Sequence, residues 1–465
     1  MNPNIWTWEP AMSDVWAILG ISVGVFVALG VSELLKKLGA SVEWSRKAAH
    51  IGSGLLAIPF PYLFRSIWPV IILCVSFLLI MMVSKSLKMF EGVHGVKRES
   101  VGAYVFPLVI ILIFALAQKP LHFAIPIAVL SLSDALAALI GKEYGSTHFH
   151  TYGERRSLEG STAFLISTFM LVHLPLLLLS STSRLECVLI ALGTSILVTT
   201  FEMISIKGLD NVFIPFGTWY VLDNYVTYSE DALISRIVFL SLSALITIFF
   251  IKRRFFTQTG GIGVFLAMYG TFSLGREWFF LPALSILTPL ILYALWVFPK
   301  YERRKPMGIS RLFQTIIIAM LVLLIFDNTS HPWLVGGFLA AIISGGGFVY
   351  TKVGEKMPSL SLFYLISLLP LVVTYVCMRA EIEYLIPMLA LSWITAIASV
   401  HLAILFDDRK AVFQCVKCSE FTLERRHCGE KTQIFSGSPY LTEFRLGLLS
   451  SFGAAFVGSG AYFLS

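Results

Sequence analysis

The sequence predicts an all-α protein, a polytopic transmembrane helical bundle of about 16 spans. Of its 465 residues, 57% are apolar and only 14% are charged, and the mean hydropathy is +0.80. These values leave too little polar surface to cover a soluble protein of this size. Apolar runs of about 20 residues recur along the chain, and each is long enough for a helix to cross the bilayer core. A β-barrel would show short segments of alternating polarity, which the sequence lacks.

The predicted spans follow one another with polar connections between them. Their centres lie near residues 25, 57, 75, 109, 131, 171, 195, 219, 242, 268, 289, 319, 342, 369, 395 and 455. The first span has no basic segment before it and is followed by Lys36 and Lys37. This order indicates a mature helix, because a cleaved signal peptide would carry its positive charge first.

The distribution of basic residues predicts the orientation of the bundle. If the N-terminus lies outside, the cytoplasmic segments contain nearly all Lys and Arg, as the positive-inside rule requires. The exceptions are Arg65, Lys119, Arg184, Arg236, Arg276 and Arg379. The net charge of +7 then reflects topology and contact with lipid headgroups. No basic patch interleaved with aromatic residues stands out, so we expect no nucleic-acid partner.

Two domains are predicted, residues 1–230 and 231–465. The boundary is placed where Tyr228-Ser229-Glu230-Asp231 interrupts the apolar pattern. No internal repeat relates the two halves. The second half also contains a cytoplasmic Cys-rich loop over residues 406–440.

The first polar feature of interest lies at the cytoplasmic end of the fifth span. Asp134 stands in an otherwise apolar helix about two turns before Gly141, Lys142 and Gly145. Ionisable residues inside spans cost free energy, which makes them candidates for a function. Asp134 is either a packing group that bridges helices or a carboxylate of a Mg²⁺ or phosphate site.

A polar loop comes next and leads directly into the sixth span. Arg155 and Arg156 offer charge-assisted contacts to a triphosphate, and Glu159 offers a ligand for Mg²⁺ or a partner for an arginine. Gly160 and Ser161 suit the start of a helix, where free amides hold phosphate. An ordinary basic loop would explain the same residues.

A second acidic set lies at the cytoplasmic end of the seventh span. Glu202 is placed about two turns inside the lipid boundary, and Asp210-Asn211 come after it. Glu202 alone could pair with a charge on a neighbouring helix. With Asp134, however, the set puts three carboxylates near one surface, as phosphoryl or nucleotidyl transfer requires.

Two basic clusters are expected at the same face. Arg46-Lys47-Ala48-Ala49-His50 precedes the second span, and Lys97-Arg98-Glu99-Ser100 precedes the fourth. Each is explained more readily as a marker of topology, with phosphate binding as the alternative.

The order and spacing of these motifs resemble the phytol kinase and dolichol kinase family. The matching patterns are Arg46-Lys47-x-x-His50, Asp134-Ala-x-Ala-Ala-x-x-Gly141-x-x-x-Gly145, Arg156-Ser157-x-Glu159-Gly160-Ser161, and Glu202 with Asp210-Asn211-x-x-x-Pro215. Phosphatidate cytidylyltransferase is similar at a greater distance, and the Glu-Gly-Ser triplet favours the kinase branch. Arg156 departs from the Lys that the family commonly has.

The resemblance implies a CTP-dependent kinase that phosphorylates an isoprenoid alcohol of the phytol, geranylgeraniol or polyprenol type at the cytoplasmic membrane face. The implied catalytic residues are Asp134, Glu159 and Asp210. The implied Mg²⁺ ligands are Asp134, Glu202 and Asp210. The implied substrate and nucleotide contacts are Arg46, Lys47, His50, Lys97, Arg98, Lys142, Arg155, Arg156, Ser157, Gly160, Ser161 and Asn211.

Two other functions remain open at this stage. A CDP-lipid synthase would use the same carboxylates and would release diphosphate, and a membrane transporter would also have many spans with glycine-rich breaks. The alcohol, the preference for CTP over ATP, and the general base are undetermined, with Asp134 and Asp210 as candidate bases.

The second half resembles the membrane family that includes phytyl-phosphate kinase. The segment Thr257-Gln-Thr-Gly-Gly-Ile-Gly263 carries this resemblance, as does the late Cys-rich stretch. The family's Asp-Thr-x-Ala-Ser-Glu helix has its nearest match at residues 395–400, where both carboxylates are missing. We therefore favour a non-catalytic second half over a second active site.

The Cys-rich loop contains enough donors for a structural zinc ion. The four candidate ligands are Cys415, Cys418, His427 and Cys428. Their Cys-x₂-Cys spacing is typical of tetrahedral zinc sites, and a loop of free thiols is the alternative.

Overall fold

A computed structural model describes residues 11–86, 102–151, 154–205, 208–253, 256–274, 281–282, 309–329, 333–353, 367–378, 385–407, 413–415, 421–422, 426–427 and 430–434. The chain divides into two compact units, Met1–Leu240 and Ser241–Ser465. The predicted domain boundary at residue 230 stays a prediction.

The first unit begins with helices that enclose an apolar interior. They are α1 (Met12–Lys37), α2 (Val42–Ala57), α3 (Phe60–Leu63), α4 (Trp68–Ser86) and α5 (Gly102–Leu116). The Ser41 side chain accepts the Trp44 N–H and so fixes the start of α2, as an N-cap serine does. Pro59 and Phe64 flank the single turn of α3.

The next helical stretch is unbroken from Pro120 to Glu143 but changes its internal geometry. It consists of α6 (Pro120–Ala128), a π-helical segment (Val129–Ser133) and α7 (Asp134–Glu143). Six consecutive residues of α6, His122 to Ile127, are buried, so this helix lies in the interior of the first unit. A π-helical segment inserts an extra residue and rotates the turns of α7 relative to α6, and such segments are frequent at functional sites.

A β-hairpin replaces the loop that the sequence predicts after α7. Its strands are β1 (His148–Thr151) and β2 (Glu154–Ser157), paired antiparallel with Phe149 opposite Arg156. The helices α8 (Leu158–Leu179), α9 (Arg184–Ile204), α10 (Asp210–Tyr225) and α11 (Glu230–Lys252) come after the hairpin. The Ser183 and Glu186 capping box begins α9.

The second unit also consists mainly of helices in its described part. They are α12 (Gln258–Leu274), α13 (Ile309–Thr329), α14 (Trp333–Val353), α15 (Leu369–Met378) and α16 (Leu385–Asp407). A four-stranded antiparallel sheet lies within the Cys-rich loop, formed by β3 (Phe413–Cys415), β4 (Phe421–Thr422), β5 (Arg426–His427) and β6 (Glu430–Ile434).

Six helical segments among the described residues are long and apolar enough to cross a membrane. They are Met12–Lys37, Pro120–Glu143, Leu158–Leu179, Arg184–Ile204, Glu230–Lys252 and Leu385–Leu402. This finding supports an all-α membrane protein, with two small sheets that the sequence did not predict. It does not confirm about 16 spans, and the predicted centres near 289 and 455 lie outside the described residues.

Candidate functional site

Asp134 lies in the interior of the first unit and is bound by two residues of α2. Its carboxylate forms a buried ion pair with Lys47, whose Nζ also lies 3.3 Å from the Asp134 carbonyl oxygen. His50 Nε2 lies 3.6 Å from the same carboxylate. A buried charge needs such a partner, because an unpaired carboxylate in an apolar interior costs several kcal/mol.

The π-helical segment explains how His50 is held. In an α-helix the Asp134 N–H would bond to Leu130, four residues earlier, but here it bonds to the carbonyl of Val129. The Leu130 carbonyl oxygen accepts a hydrogen bond from His50 Nε2 at 3.0 Å. Because a carbonyl only accepts, Nε2 carries the proton.

A close helix contact brings α2 against this segment. A Cβ placed on Gly54 would lie 1.7 Å from the Ser131 hydroxyl oxygen. Only glycine leaves room at this crossing for the Ser131 side chain. The contact therefore fixes how far α2 is shifted along its axis relative to α7, and so places Lys47 and His50 beside Asp134.

A second group of charges surrounds Arg156, the third residue of β2. Its guanidinium forms an ion pair with Glu202 of α9 and donates a hydrogen bond to the Ser205 carbonyl at 3.0 Å. The Ser161 hydroxyl donates to the other oxygen of Glu202 at 3.3 Å. Asp210, the first residue of α10, lies 4.0 Å from the same guanidinium.

Electrostatic interactions join the two groups into one site. Asp210 is repelled by the like charge of Asp134 and attracted by Lys47 and Arg156, so the two groups lie close enough for their charges to act on one another. Arg46 interacts with Asp134 and Asp210, and its guanidinium also pairs with Glu43. We call the set of Arg46, Lys47, His50, Asp134, Arg156, Glu202 and Asp210 the charged cluster. It is assembled from α2, α7, β2, α9 and α10, at the ends that the charge distribution predicts to be cytoplasmic.

The hairpin separates the two neighbouring arginines. Successive side chains of a strand point to opposite faces, so Arg156 enters the charged cluster while Arg155 is exposed and lies 3.0 Å from His148 Nδ1. Arginines that are adjacent in the sequence are therefore not equivalent in the structure.

Two further predicted residues have partners outside the charged cluster. Glu159 accepts the Ser146 hydroxyl and the Thr147 N–H at 3.0 Å, and so holds the start of the hairpin. Lys142 Nζ donates to the Ser41 hydroxyl at 3.0 Å near the start of α2. The predicted catalytic role of Glu159 and the predicted binding role of Lys142 stay predictions. In the structure, each side chain makes a hydrogen bond that helps to position a neighbouring segment.

The start of α8 differs from the sequence-based expectation. The helix begins at Leu158, with Ser157 as N-cap, and the Ser157 hydroxyl accepts the Gly160 N–H at 3.1 Å. The Gly160 amide is thus already satisfied and is not free for phosphate. A Cβ on Gly160 would lie 2.7 Å from the Ala137 carbonyl oxygen. Gly160 therefore allows α8 to pack against α7.

Several predicted ligands cannot be located. Lys97 and Arg98 lie outside the described residues, as do Cys418 and Cys428. Cys415 and His427 lie on β3 and β5, where only the backbone is described. The zinc site stays a prediction.

Sequence reasoning missed a second polar pair in the first unit, in which His122 is buried and Asp223 is half-buried. His122 Nδ1 lies 2.7 Å from Asp223 Oδ1, joining the first turn of α6 to the last turn of α10. Asp223 is 13 residues from Asp210, or about 20 Å along the helix. The sequence does mark each residue as unusual, because a polar side chain stands there among apolar neighbours. No motif, however, indicates that the two residues pair.

The carboxylates of the charged cluster are spread over two ion-paired groups. In the part of the chain that the structure describes, no three His, Cys, Asp or Glu side chains are close enough to hold one metal ion. Mg²⁺ is commonly bound by one or two carboxylates together with substrate phosphates and water. Asp210 suits this mode best, because its contact with Arg156 is the longest ion pair of the cluster.

Part of the chain is similar to a known enzyme. It is 27% identical over 217 residues to phytol kinase from Synechocystis sp., and the match covers 92% of that protein and 45% of this chain. No family model and no solved structure matches the chain.

Proposed function

We propose that this protein is a kinase that transfers the γ-phosphate of CTP to the hydroxyl of an isoprenoid alcohol at the cytoplasmic membrane face. The single observation that carries the proposal is the charged cluster. Three carboxylates and three cations converge from five separate elements in an otherwise apolar bundle. The similarity to phytol kinase supports the same reaction class.

Positioning and charge neutralisation are the chemistry that this cluster is suited to provide. Phosphoryl transfer proceeds through a loose transition state with charge spread over the phosphoryl oxygens. Arg46, Lys47 and Arg156 are fixed by their carboxylate partners and need little reorganisation to meet that charge. The alcohol oxygen bonds to the γ-phosphorus, the bond from phosphorus to the β-γ bridging oxygen breaks, and CDP leaves. Asp134 and Asp210 are the candidate acceptors for the hydroxyl proton.

A magnesium ion fits the cluster at one position. Asp210 would hold it together with the triphosphate, and the ion would neutralise charge on the β- and γ-phosphates. Glu202 then serves mainly to orient Arg156, through their ion pair and the Ser161 hydrogen bond. Asp134 is oriented in turn by Lys47 and His50.

Product analysis tests the proposal directly. The purified full-length protein in lipid vesicles is incubated with labelled CTP or ATP, Mg²⁺, and either a panel of prenols or phosphatidic acid. A kinase yields a prenyl phosphate, together with CDP from CTP or ADP from ATP. A CDP-lipid synthase yields diphosphate, and that product would overturn the proposal, as would the absence of turnover with every alcohol.

A matched pair of variants links turnover to the charged cluster. Asp134→Asn should lower turnover at least about 100-fold, as loss of an electrostatic catalytic group does. Asp223→Asn makes the same chemical change at the His122 pair, and should leave turnover within about threefold because Asp223 lies about 20 Å along α10 from Asp210. Equal losses in the two variants would assign Asp134 a structural role.

A further inference from the structure

His50 donates its ring proton to the backbone of the π-helical segment and not to the carboxylate beside it. Nε2 carries that proton and lies 3.0 Å from the Leu130 carbonyl oxygen. The same nitrogen lies 3.6 Å from Asp134 Oδ2, a separation too long for a hydrogen bond. The hydrogen bond from His50 therefore acts on the path of the chain before Asp134.

The Leu130 carbonyl needs this donor because of the π-helical geometry. In an α-helix the carbonyl would accept the Asp134 N–H, but that N–H bonds to Val129 instead. Leu130 is fully buried, and a buried carbonyl that lacks a donor costs free energy comparable to a lost hydrogen bond. His50 therefore stabilises the π turn relative to an ordinary α-helical turn.

The π turn in turn sets the direction of the Asp134 side chain. Asp134 is the first residue after the π-helical segment, and its carboxylate and carbonyl both contact Lys47. One residue of an α-helix corresponds to about 100° of rotation. If the segment became α-helical, Asp134 would turn away from Lys47 by an angle of this order. Lys47 and His50 are three residues apart and share one face of α2, so the same face supports the turn and binds the carboxylate.

We propose that His50 is a positioning residue of the kinase, whose donor keeps the π turn in place and so directs the Asp134 carboxylate into the charged cluster. The inference rests on the proposed kinase function. It differs from the substrate or nucleotide contact that the family resemblance implies for His50. A displacement of about 1 Å at a catalytic group lowers turnover by about 100-fold, so a residue that contacts no reactant still controls the rate.

Three substitutions of His50 separate its donor from the rest of the ring. The glutamine amide nitrogen donates and reaches about as far as Nε2, the asparagine amide is one bond shorter, and leucine has no donor. His50→Gln should keep kcat within about threefold, whereas His50→Asn and His50→Leu should lower kcat about 100-fold with KM for CTP unchanged. The matched control is His401→Leu, because His401 Nδ1 lies 3.0 Å from a carbonyl of its own helix. This control should keep the wild-type kcat.

A deletion tests the π turn itself. Removing the half-buried Leu132 takes one residue out of the π-helical segment and allows a continuous α-helix that leaves Asp134 in the same direction. Each carbonyl then regains an amide four residues later, and the His50 donor is no longer required. His50→Leu should therefore change kcat by less than about threefold in the deletion background, against about 100-fold in the wild-type background.

Unfolding midpoints in mixed micelles separate this inference from the proposed function. His50→Leu should lower the midpoint in the wild-type background and leave it unchanged in the deletion background, and neither result depends on turnover. An equal fall in both backgrounds overturns the inference, as does equal kcat in His50→Gln and His50→Leu or a raised KM for CTP in His50→Gln. If the deletion variant does not fold, the comparison of His50→Gln with His50→Leu decides. Failure of the wild type to phosphorylate any alcohol overturns the proposed kinase function, and the midpoints then decide whether His50 supports the π turn.

Discussion

The two units satisfy their buried polar groups in different ways. In the first unit, the buried side chains include Lys47, Asp134 and Glu202, each paired with a partner on another element. Within the described residues of the second unit, the buried polar side chains are serine and threonine only. Thr374 and Ser392 donate to carbonyls four residues earlier at 2.7 Å on their own helices.

This difference indicates where function is located. A hydroxyl satisfies itself within a helix and needs no distant partner. A buried charge requires a partner positioned by the tertiary structure, and ionisable residues inside membrane proteins are retained mainly where they serve a function. That the second half is non-catalytic stays a prediction.

The largest expected effect comes from breaking the Lys47 and Asp134 pair. Lys47→Met should lower the free energy of unfolding by about 3–5 kcal/mol, because it leaves a buried carboxylate without its partner. Combining it with Asp134→Leu should recover most of that stability, since an apolar pair replaces the ion pair. Turnover should be lost in both variants.

The measurements are denaturation in mixed micelles and prenol phosphorylation. Recovery of stability without activity separates the structural and the catalytic parts of this pair. A double variant that is both stable and active would show that the pair serves only the fold.

The next effect distinguishes two neighbouring side chains of β2. Arg156→Gln should lower turnover by about 10²–10³-fold, because its guanidinium is fixed between Glu202 and Asp210. Arg155→Gln should change turnover by less than about threefold, because Arg155 is an exposed side chain at the surface of the hairpin. Steady-state kcat and the KM for CTP are measured for both. A similar loss in Arg155→Gln would extend the phosphate site to the exposed face of the hairpin.

The smallest expected effect is on stability, and it is tested by making the same serine-to-alanine substitution once in each unit. Ser161→Ala should cost about 1.5–3 kcal/mol of stability, the range for a hydrogen bond to a charged group, because its hydroxyl binds buried Glu202. Ser392→Ala should cost less than about 1 kcal/mol, because its partner is a carbonyl of its own helix. Unfolding midpoints of the two variants give the comparison. Equal costs would remove the distinction between the units.

Much of the charged cluster was predictable from residue type. Asp134, Glu202 and Asp210 stand out because carboxylates are rare in apolar helices, and their spacing resembles a kinase family. The sequence does not show that Glu159 accepts the Ser146 hydroxyl or that the Gly160 amide donates to the Ser157 hydroxyl, because both contacts depend on the fold of the hairpin. Sequence reasoning also missed the His122 and Asp223 pair, whose members are 101 residues apart.

The sequence alone determined that this chain belongs in a membrane and that charge gathers toward one end of its first half, since hydropathy and residue type are local properties. The tertiary structure decided which of these charges meet. Lys47 contacts Asp134 although the two residues are 87 positions apart in the sequence. The Gly54 contact sets where along α2 this pair forms. The π-helical segment sets the rotation of α7 about its axis, and so the direction of the Asp134 side chain. Helix phase and close backbone approach depend on packing between distant segments, which no local pattern encodes.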